Sequence, residues 1–575
     1  MRVPSLLSIT LFAATLQWRC LPHFFVQAHA STDSISEALS GRAPAQSYAS
    51  TLPANQRALF ENAMTGLDSN FAPPFLFASP RYSAWYAVGL LARAQGKDVA
   101  TAAAIIDEVI SYQFTDPSKL WFGTFKNHID APDPGDVYPP KPYNSYDLNM
   151  GLFVTTAWII VIEEFTHLLA PELVERMKRS MYDATVGDGY RVGGVDGDNL
   201  YPIYSNPWYM RVMAATYVGN MMGDKNMTYW GDEWARQTLV EFDRYGTLSE
   251  FNSATYTGVT LYALSLWGYM PANSTIAKRA PDLITKTWET VAQVWNPTLN
   301  TLGGPWDRSY GFFMRSYFGI LGAQISGMLG GLDDGSAPLP LPLVGSEHYG
   351  DAAVVALTPL VSKFHDQYVS PVARARLTVK TLSGADAQGH AYTAQAVSPP
   401  FDSLAYPRNY TTWTQAGLSV GAIEVDSNVV GGPASNPGQF VPGVILWDAG
   451  KSGNGWISHY STTRTISARA TSSALSIAYP PSRAFPELAT GKSNVMTFLI
   501  SGFRRVSLGA DFLANGTGTL PGLQLRVSGN VAEKGKRLFE YGVGNLNNLA
   551  YYNLTYVVPD GLEGVPEIVF EFKKV

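Results

Sequence analysis

Cysteine is almost absent: Cys20 is the single one in 575 residues. It sits in an N-terminal stretch that reads as a secretory signal. Arg2 is the positive end, Leu6 to Leu16 the apolar stretch and Ala28-His-Ala30 the small-residue cleavage pattern. Arg19 breaks the hydrophobicity, which argues against a retained anchor. Cleavage after Ala30 leaves a chain without thiols, which excludes disulfides, cysteine nucleophiles and cysteine-rich metal sites. A chain of this length can bury enough apolar surface without them. Histidine is also scarce, with six left after the signal (8 − 2 = 6). None makes a His-x-x-x-His spacing, so a catalytic zinc site is not expected. There is no basic run, and the formal charge of −6 becomes −6 − 2 = −8 without Arg2 and Arg19. Binding to nucleic acid, which needs clustered Lys and Arg, is therefore not expected. No later stretch offers the roughly 20 apolar, charge-free residues of a membrane span.

Familiar catalytic signatures are missing too. There is no Gly-x-Ser-x-Gly elbow and no phosphate-binding glycine loop. Gly193-Gly-Val-Asp-Gly197-Asp lacks the alternating Asp/Asn spacing and terminal Glu of a calcium loop and reads as a turn. No cofactor is expected, and a structural Ca²⁺ in the C-terminal part would have no motif behind it.

Aromatic residues are plentiful, with 31 Tyr and 14 Trp. Much of that belongs to a core, but both residues also stack on sugar faces. Five Asn-x-Ser/Thr sequons, at Asn226, Asn273, Asn409, Asn515 and Asn553, agree with a secreted, glycosylated chain. The hydrophobic period divides the rest. From about residue 50 to 365 apolar residues recur at three- and four-residue spacing, which predicts helices over 84–94, 100–112, 148–169, 171–182, 208–222, 230–245, 257–267, 276–294, 312–327 and 352–364. After about 375 the period becomes two, which predicts strands that include 375–381, 418–425, 443–447, 475–479, 495–500, 505–510, 523–527 and 566–572. The expected class is multidomain α+β. A signal (1–30) precedes stacked helical hairpins that close into an α/α toroid (31–370), followed by an antiparallel β-sandwich (371–575).

Candidate chemistry gathers in the longer connections. Glu250-Phe-Asn-Ser-Ala-Thr-Tyr256, Gly304-Pro-Trp-Asp-Arg-Ser-Tyr310-Gly and Tyr204-Ser-Asn206-Pro-Trp-Tyr209 crowd ionisable and aromatic groups into turns that lead into apolar helices. Trp208, Tyr209 and Trp306 are candidate sugar platforms, with Asn252, Glu250, Asp307 and Arg315 as further substrate contacts. His128, ahead of a Pro-rich segment, is a candidate cleft residue. His348, in Ser346-Glu-His-Tyr349, ranks below it, and His167 reads as packing.

Helical hairpins followed by a sandwich, with Asn206 early and Arg308-Ser-Tyr310-Gly late, resemble the α/α-toroid polysaccharide lyases that act on chondroitin, hyaluronan, alginate or glucuronan. The resemblance implies β-elimination on a uronate polymer: a base takes the C5 proton, an acid protonates the departing C4 oxygen, and the neighbouring carboxylate is neutralised. It implies Asn206 and Arg308 or Arg315 as the neutralising groups and Tyr310 as the acid and a candidate for the base as well, with Tyr256 or His128 as the other base candidates. No histidine lies between Asn252 and Tyr256, which favours a tyrosine-centred mechanism. The expected partner is an anionic polysaccharide, bound by a secreted monomer. Two rival readings stand beside it. One is a glycoside hydrolase using Glu250 and Asp307 as its carboxylate pair. The other is a carbohydrate-binding protein without turnover.

Overall fold

The computed structural model describes residues 47–308, 319–330, 348–378, 388–397, 406–426, 439–484, 493–502, 508–543 and 550–575. Residues 1–46, Tyr310 and Arg315 lie outside them, and the compact unit runs from Ser47 to Val575.

Helices α1 (Ala54–Asp68), α2 (Pro80–Arg93), α3 (Asp98–Ser111), α4 (Met150–Ile160), α5 (Pro171–Gly189), α6 (Ser205–Met222), α7 (Lys225–Tyr245), α8 (Tyr256–Ser265), α9 (Thr275–Val294) and α10 (Gly319–Leu329) build the first part. Their ends follow local chemistry. Pro80 and Pro171 open α2 and α5, where a missing N–H costs nothing. Asp224 caps α7 by accepting from Met227 N, and Ser274 caps α9 through Ala277 N. Gly223 and Gly246 end α6 and α7 in the left-handed conformation that suits glycine.

Two layers arise from two kinds of sequence. In α9 the buried residues Ile276, Ala280, Leu283, Ile284, Trp288 and Val291 make one stripe, the mark of an outer helix. In α8 every residue is buried, and in α6 burial is continuous from Ser205 to Gly219. These helices are enclosed on both faces. The inner helices α2, α4, α6 and α8 pack side by side, and α10 and α1 close the ring back onto α2. Outer partners α3, α5, α7 and α9 follow each inner one as a hairpin. The apolar stretch Met150–Leu168 is one of these enclosed segments, with α4 passing into a π-turn and a short 3₁₀ turn.

The second part is an antiparallel sheet. Its strands are β5 (His390–Ala396), β6 (Arg408–Gln415), β7 (Leu418–Asp426), β8 (Gly443–Asp448), β9 (Asn454–Tyr460), β10 (Thr465–Ala470), β11 (Ala474–Ala478), β12 (Val495–Ser501), β13 (Thr517–Leu520), β14 (Leu523–Ser528), β15 (Lys536–Val543), β16 (Ala550–Val557) and β17 (Glu567–Lys574), after two short pairs in the helical part, β1 (Phe71–Ala72) with β2 (Phe75–Leu76) and β3 (Trp295–Asn296) with β4 (Thr301–Leu302). Strand β7 pairs with β6 along one edge. On the other it pairs with β8 near its start and with β10 at Glu424–Asp426. The sheet therefore folds over at β7 into two layers. Phe498 on β12 meets Phe570 on β17 between them, at 4.6 Å between ring centres.

The fold class expected from the sequence is the one present, with local corrections. Residues 371–378 form a helix, α11 (Pro371–Thr378), where the period of two predicts a strand from 375; Pro371 starts it, and Ala373 and Leu377, four apart, bury its face. Residues 508–516 form turns rather than the end of a strand. Helix α1 and strands β5, β6, β9, β10, β13, β15 and β16 lie beyond the predicted elements.

His459 on β9 lies between the layers beside Phe498, with Nε2 2.7 Å from the Tyr479 hydroxyl. Burial pushes its pKa down to about 3. It is therefore neutral in the fold but titrates near 6.5 when unfolded. The stability this adds is fully present above about pH 6.5 and is lost as pH falls toward 3, by up to about 1.4 kcal/mol per pH unit. Thermal melts from pH 7 to 4.5 are expected to fall less steeply in His459→Phe than in the parent. Equal slopes would show that this histidine does not set the acid limit.

Candidate active site

Alternating connection lengths give the helical ring two unlike ends. Residues 94–97, 169–170, 223–224 and 266–274 make one end, and 112–149, 190–204, 246–255 and the segment after α9 make the other. The N-termini of α2, α4, α6 and α8 also lie at that second end, so Arg81, Asn149, Asn206 and Tyr256 face the long loops.

Arg308 is the centre of the group. Its Nη1 donates to Glu250 Oε1 at 2.8 Å and its Nη2 to the Tyr204 hydroxyl at 3.0 Å. The guanidinium carbon lies 3.8 Å from the Tyr256 ring centre and 4.7 Å from that of Tyr204. One cation is thus held between two phenol rings and balanced by one carboxylate. Glu250 has no exposed surface. Burial raises its pKa, Arg308 works against that rise, and Asp307 adds to it. Asn206 lies beside this carboxylate, near enough to favour its charge but outside hydrogen-bond geometry. Asn206 Nδ2 and Glu250 Oε2 are both buried without a partner among the described residues.

The Tyr256 ring also meets a histidine. The His348 ring stands edge-on to it, 6.1 Å between centres at 72°. His348 Nδ1 is 3.1 Å from Asp351 Oδ2, while Asp351 Oδ1 is ion-paired with Arg81 Nη2 at 3.0 Å and accepts from the Tyr82 hydroxyl at 3.2 Å. Burial works to raise the Asp351 pKa, but Arg81, His348 and Tyr82 outweigh it and hold it at about 2. An ionised carboxylate only accepts, so the imidazole proton sits on Nδ1 and Nε2 is the basic nitrogen. Asp351 is buried, whereas the His348 side chain is 35% exposed. The group runs from deep polar residues to one ring at the rim.

Of the residues singled out in the sequence, Asn206, Glu250, Tyr256 and Arg308 come together here. Others do not belong to the surface. Trp208, Tyr209 and Trp306 are each under 5% exposed, because their helix start and loop are packed on both sides. They are core residues and cannot serve as sugar platforms. Trp208 Nε1 donates to the Trp234 carbonyl, also in the interior. Asn252 is buried and donates to the Pro305 carbonyl at 2.9 Å. Asp307 has no exposed surface, with one oxygen bound to Arg408 and the other to Tyr410. His128 is half exposed, and its described contact is with Asp130 in its own loop. Tyr310 and Arg315 lie outside the described residues. His348 belongs to the group although its sequence context ranks it below His128. Asp351 and Arg81 join it without standing out in the sequence. The available signal is the three-residue spacing of His348, just before the 3₁₀ helix Tyr349–Ala356, and Asp351 in its first turn.

Comparisons with known proteins add the following. The model for Domain of unknown function (DUF8769) matches residues 57–363, and that for Domain of unknown function (DUF8770) matches residues 388–573. A search of curated proteins gives no match. Among solved structures, heparinase III aligns at 11% identity with a TM-score of 0.44, over 94% of this chain and 89% of that one. Chondroitin AC lyase from Streptomyces coelicolor A3, in complex with chondroitin sulphate, aligns at 10% with a TM-score of 0.39, over 92% and 80%. Endoglucanase CelQ from Clostridium thermocellum aligns at 9% with a TM-score of 0.26, over 91% and 84%. Likenesses this distant, shared by lyases and a glucanase, transfer no reaction.

Proposed function

The chain belongs to the DUF8769 family, and from the group around Tyr256 we propose that it is a polysaccharide lyase that cleaves a uronate-containing polymer by β-elimination. The observation that carries this reading is the contact of the Tyr256 ring with both the Arg308 guanidinium and the His348 ring. The stacked guanidinium places a fixed positive charge against the phenol ring, and the imidazole beside it is oriented by a carboxylate. Two proton-transfer groups with different environments thus meet at one point, as an elimination requires.

The roles follow from the contacts. Asn206 Nδ2, at 1% exposure and without a hydrogen-bond partner among the described residues, becomes the donor for the uronate carboxylate where entry of the polymer uncovers it, and this neutralisation makes the C5 proton removable. His348 Nε2 or the Tyr256 phenolate takes that proton. Electrons from the C5–H bond form the C4=C5 double bond, the C4–O bond breaks, and Tyr256 returns a proton to the departing oxygen. The step is redox-neutral. Glu250 holds Arg308 in place, and Asp351 with Arg81 orients His348. The hydrolase alternative finds less support, since Glu250 and Asp307 are both fully buried and each is paired with an arginine.

Secretion is part of the proposal and rests on the N-terminal signal pattern and the sequons. Asn226, Asn273 and Asn515 are exposed, while Asn409 on β6 is bonded to Glu424 and Gln395. The test is incubation of the purified protein with glucuronan, alginate, hyaluronan and neutral glucans. Expected is ultraviolet absorbance of an unsaturated uronate together with new reducing ends, from a uronate polymer only. New reducing ends without the chromophore would assign a hydrolase, and binding without either product a lectin.

A further inference from the structure

We propose that two residues of strand β6 position the catalytic group: Arg408 and Tyr410, acting through Asp307, hold Arg308 against Tyr256. In its kinetic consequences this rests on the lyase reading above. Neither residue touches Tyr256 in the contacts described, so both are positioning residues.

Strand β6 alternates strictly between buried and half-buried positions. Its buried side, Arg408, Tyr410 and Thr412, is polar and faces the loop that ends in Arg308. Arg408 Nη1 donates to Asp307 Oδ1 at 2.8 Å, and the Tyr410 hydroxyl donates to Asp307 Oδ2 at 2.5 Å. Both are charge-assisted bonds in the interior, where such bonds are strong and geometrically demanding. The Thr412 hydroxyl donates to the Gly304 carbonyl at 2.6 Å. Trp306 and Val441 exchange backbone bonds in both directions, at 3.2 and 2.9 Å, so the loop is stitched to the sheet. It lies so close to β7 that a Cβ on Gly421 would fall 2.1 Å from the Gly304 carbonyl carbon. Only glycine permits that approach.

Two features tie this clasp to the chemistry. Arg308 follows Asp307 directly and has φ +51°, a left-handed conformation that a non-glycine residue keeps only where its surroundings enforce it. The Tyr410 ring also packs on Phe251, 5.1 Å between centres, next to Glu250. One tyrosine of the sheet therefore touches both loops that carry the Glu250–Arg308 pair. Losing its hydroxyl frees one Asp307 oxygen and lets Arg308 shift off the Tyr256 ring. Displacements near 1 Å in a reacting group can cost on the order of 10²-fold in rate.

The experiment compares Tyr410→Phe with Thr412→Val, a neighbour that grips the same loop without touching Asp307. For Tyr410→Phe, kcat on a responsive uronate polymer is expected to fall on the order of 10²-fold, with KM within about twofold. Its crystal structure is expected to show the guanidinium moved from Tyr256. Thr412→Val is expected to lower Tm by about 1–3 °C and leave kcat within about twofold. Unchanged kcat in Tyr410→Phe, or an equal kcat loss in Thr412→Val, would overturn the proposal. Should Tyr410→Phe fail to fold, Arg408→Lys takes its place with the same expectations. If the parent makes no unsaturated product, the lyase reading falls, and the clasp is judged by Arg308 alone: unmoved in the variant crystal, it is rejected.

Discussion

Tyr256→Phe is expected to lower kcat by about 10²–10⁴-fold, the usual worth of a positioned proton-transfer group. The change removes one oxygen and keeps the ring. Stacking with Arg308 and the edge contact with His348 should therefore survive, and polymer binding with them. The loss belongs in kcat, with KM little changed, because the phenol oxygen acts in the transition state. The measurement is the rate of unsaturated product from a responsive polymer, beside Tm for folding. Near-parental kcat in a folded Tyr256→Phe would remove this tyrosine from the mechanism and return the acid role to Tyr310.

Asp351→Asn carries the largest expected effect on stability. Asp351 is buried, and it balances Arg81, whose guanidinium is enclosed by Phe153 and Trp85 at 3.5 and 4.6 Å from their ring centres. Removing one partner of a buried pair leaves an uncompensated charge, at a cost of about 3–5 kcal/mol. Denaturant unfolding at neutral pH would measure it. The pH dependence has a definite sign. The folded pKa of about 2 lies below the ordinary 3.8 of an aspartate, so the stabilisation is present above pH 3.8 and lost as pH falls through 2. The variant should lack that acid-dependent part. It should also lose activity, since an amide can donate to Nδ1 and so misplace the imidazole proton. A loss below about 1 kcal/mol would mean that Arg81 finds another partner and that the pair is not a keystone.

The sequence carried the hydrophobic periods, and with them the two-part architecture. In α9 the three- and four-residue spacing of Ile276, Ala280, Leu283 and Trp288 states by itself which face is buried. Strand β6 shows where that reasoning ends. Its inward residues Arg408, Tyr410, Thr412 and Thr414 are polar because they face a polar loop rather than an apolar core. No hydrophobic alternation marks the strand. Likewise 375–378 alternates well enough to suggest a strand, yet Pro371 and the Ala373–Leu377 spacing make it a helix.

At the site, residue type and loop placement were legible for Asn206, Glu250, Tyr256 and Arg308. Local chemistry determined that these groups would stand in turns ahead of buried helices. Solvent access was not legible. Trp208, Tyr209 and Trp306 have the composition of sugar platforms, but helix packing encloses them. Nor could the sequence say that the Arg308 cation would stack on Tyr256, or that His348 would meet the same ring. Those meetings depend on ring closure and on the sheet's grip upon Asp307. They are contacts between segments far apart in the chain, whose geometry is set by how whole helices and strands pack rather than by the residues beside them.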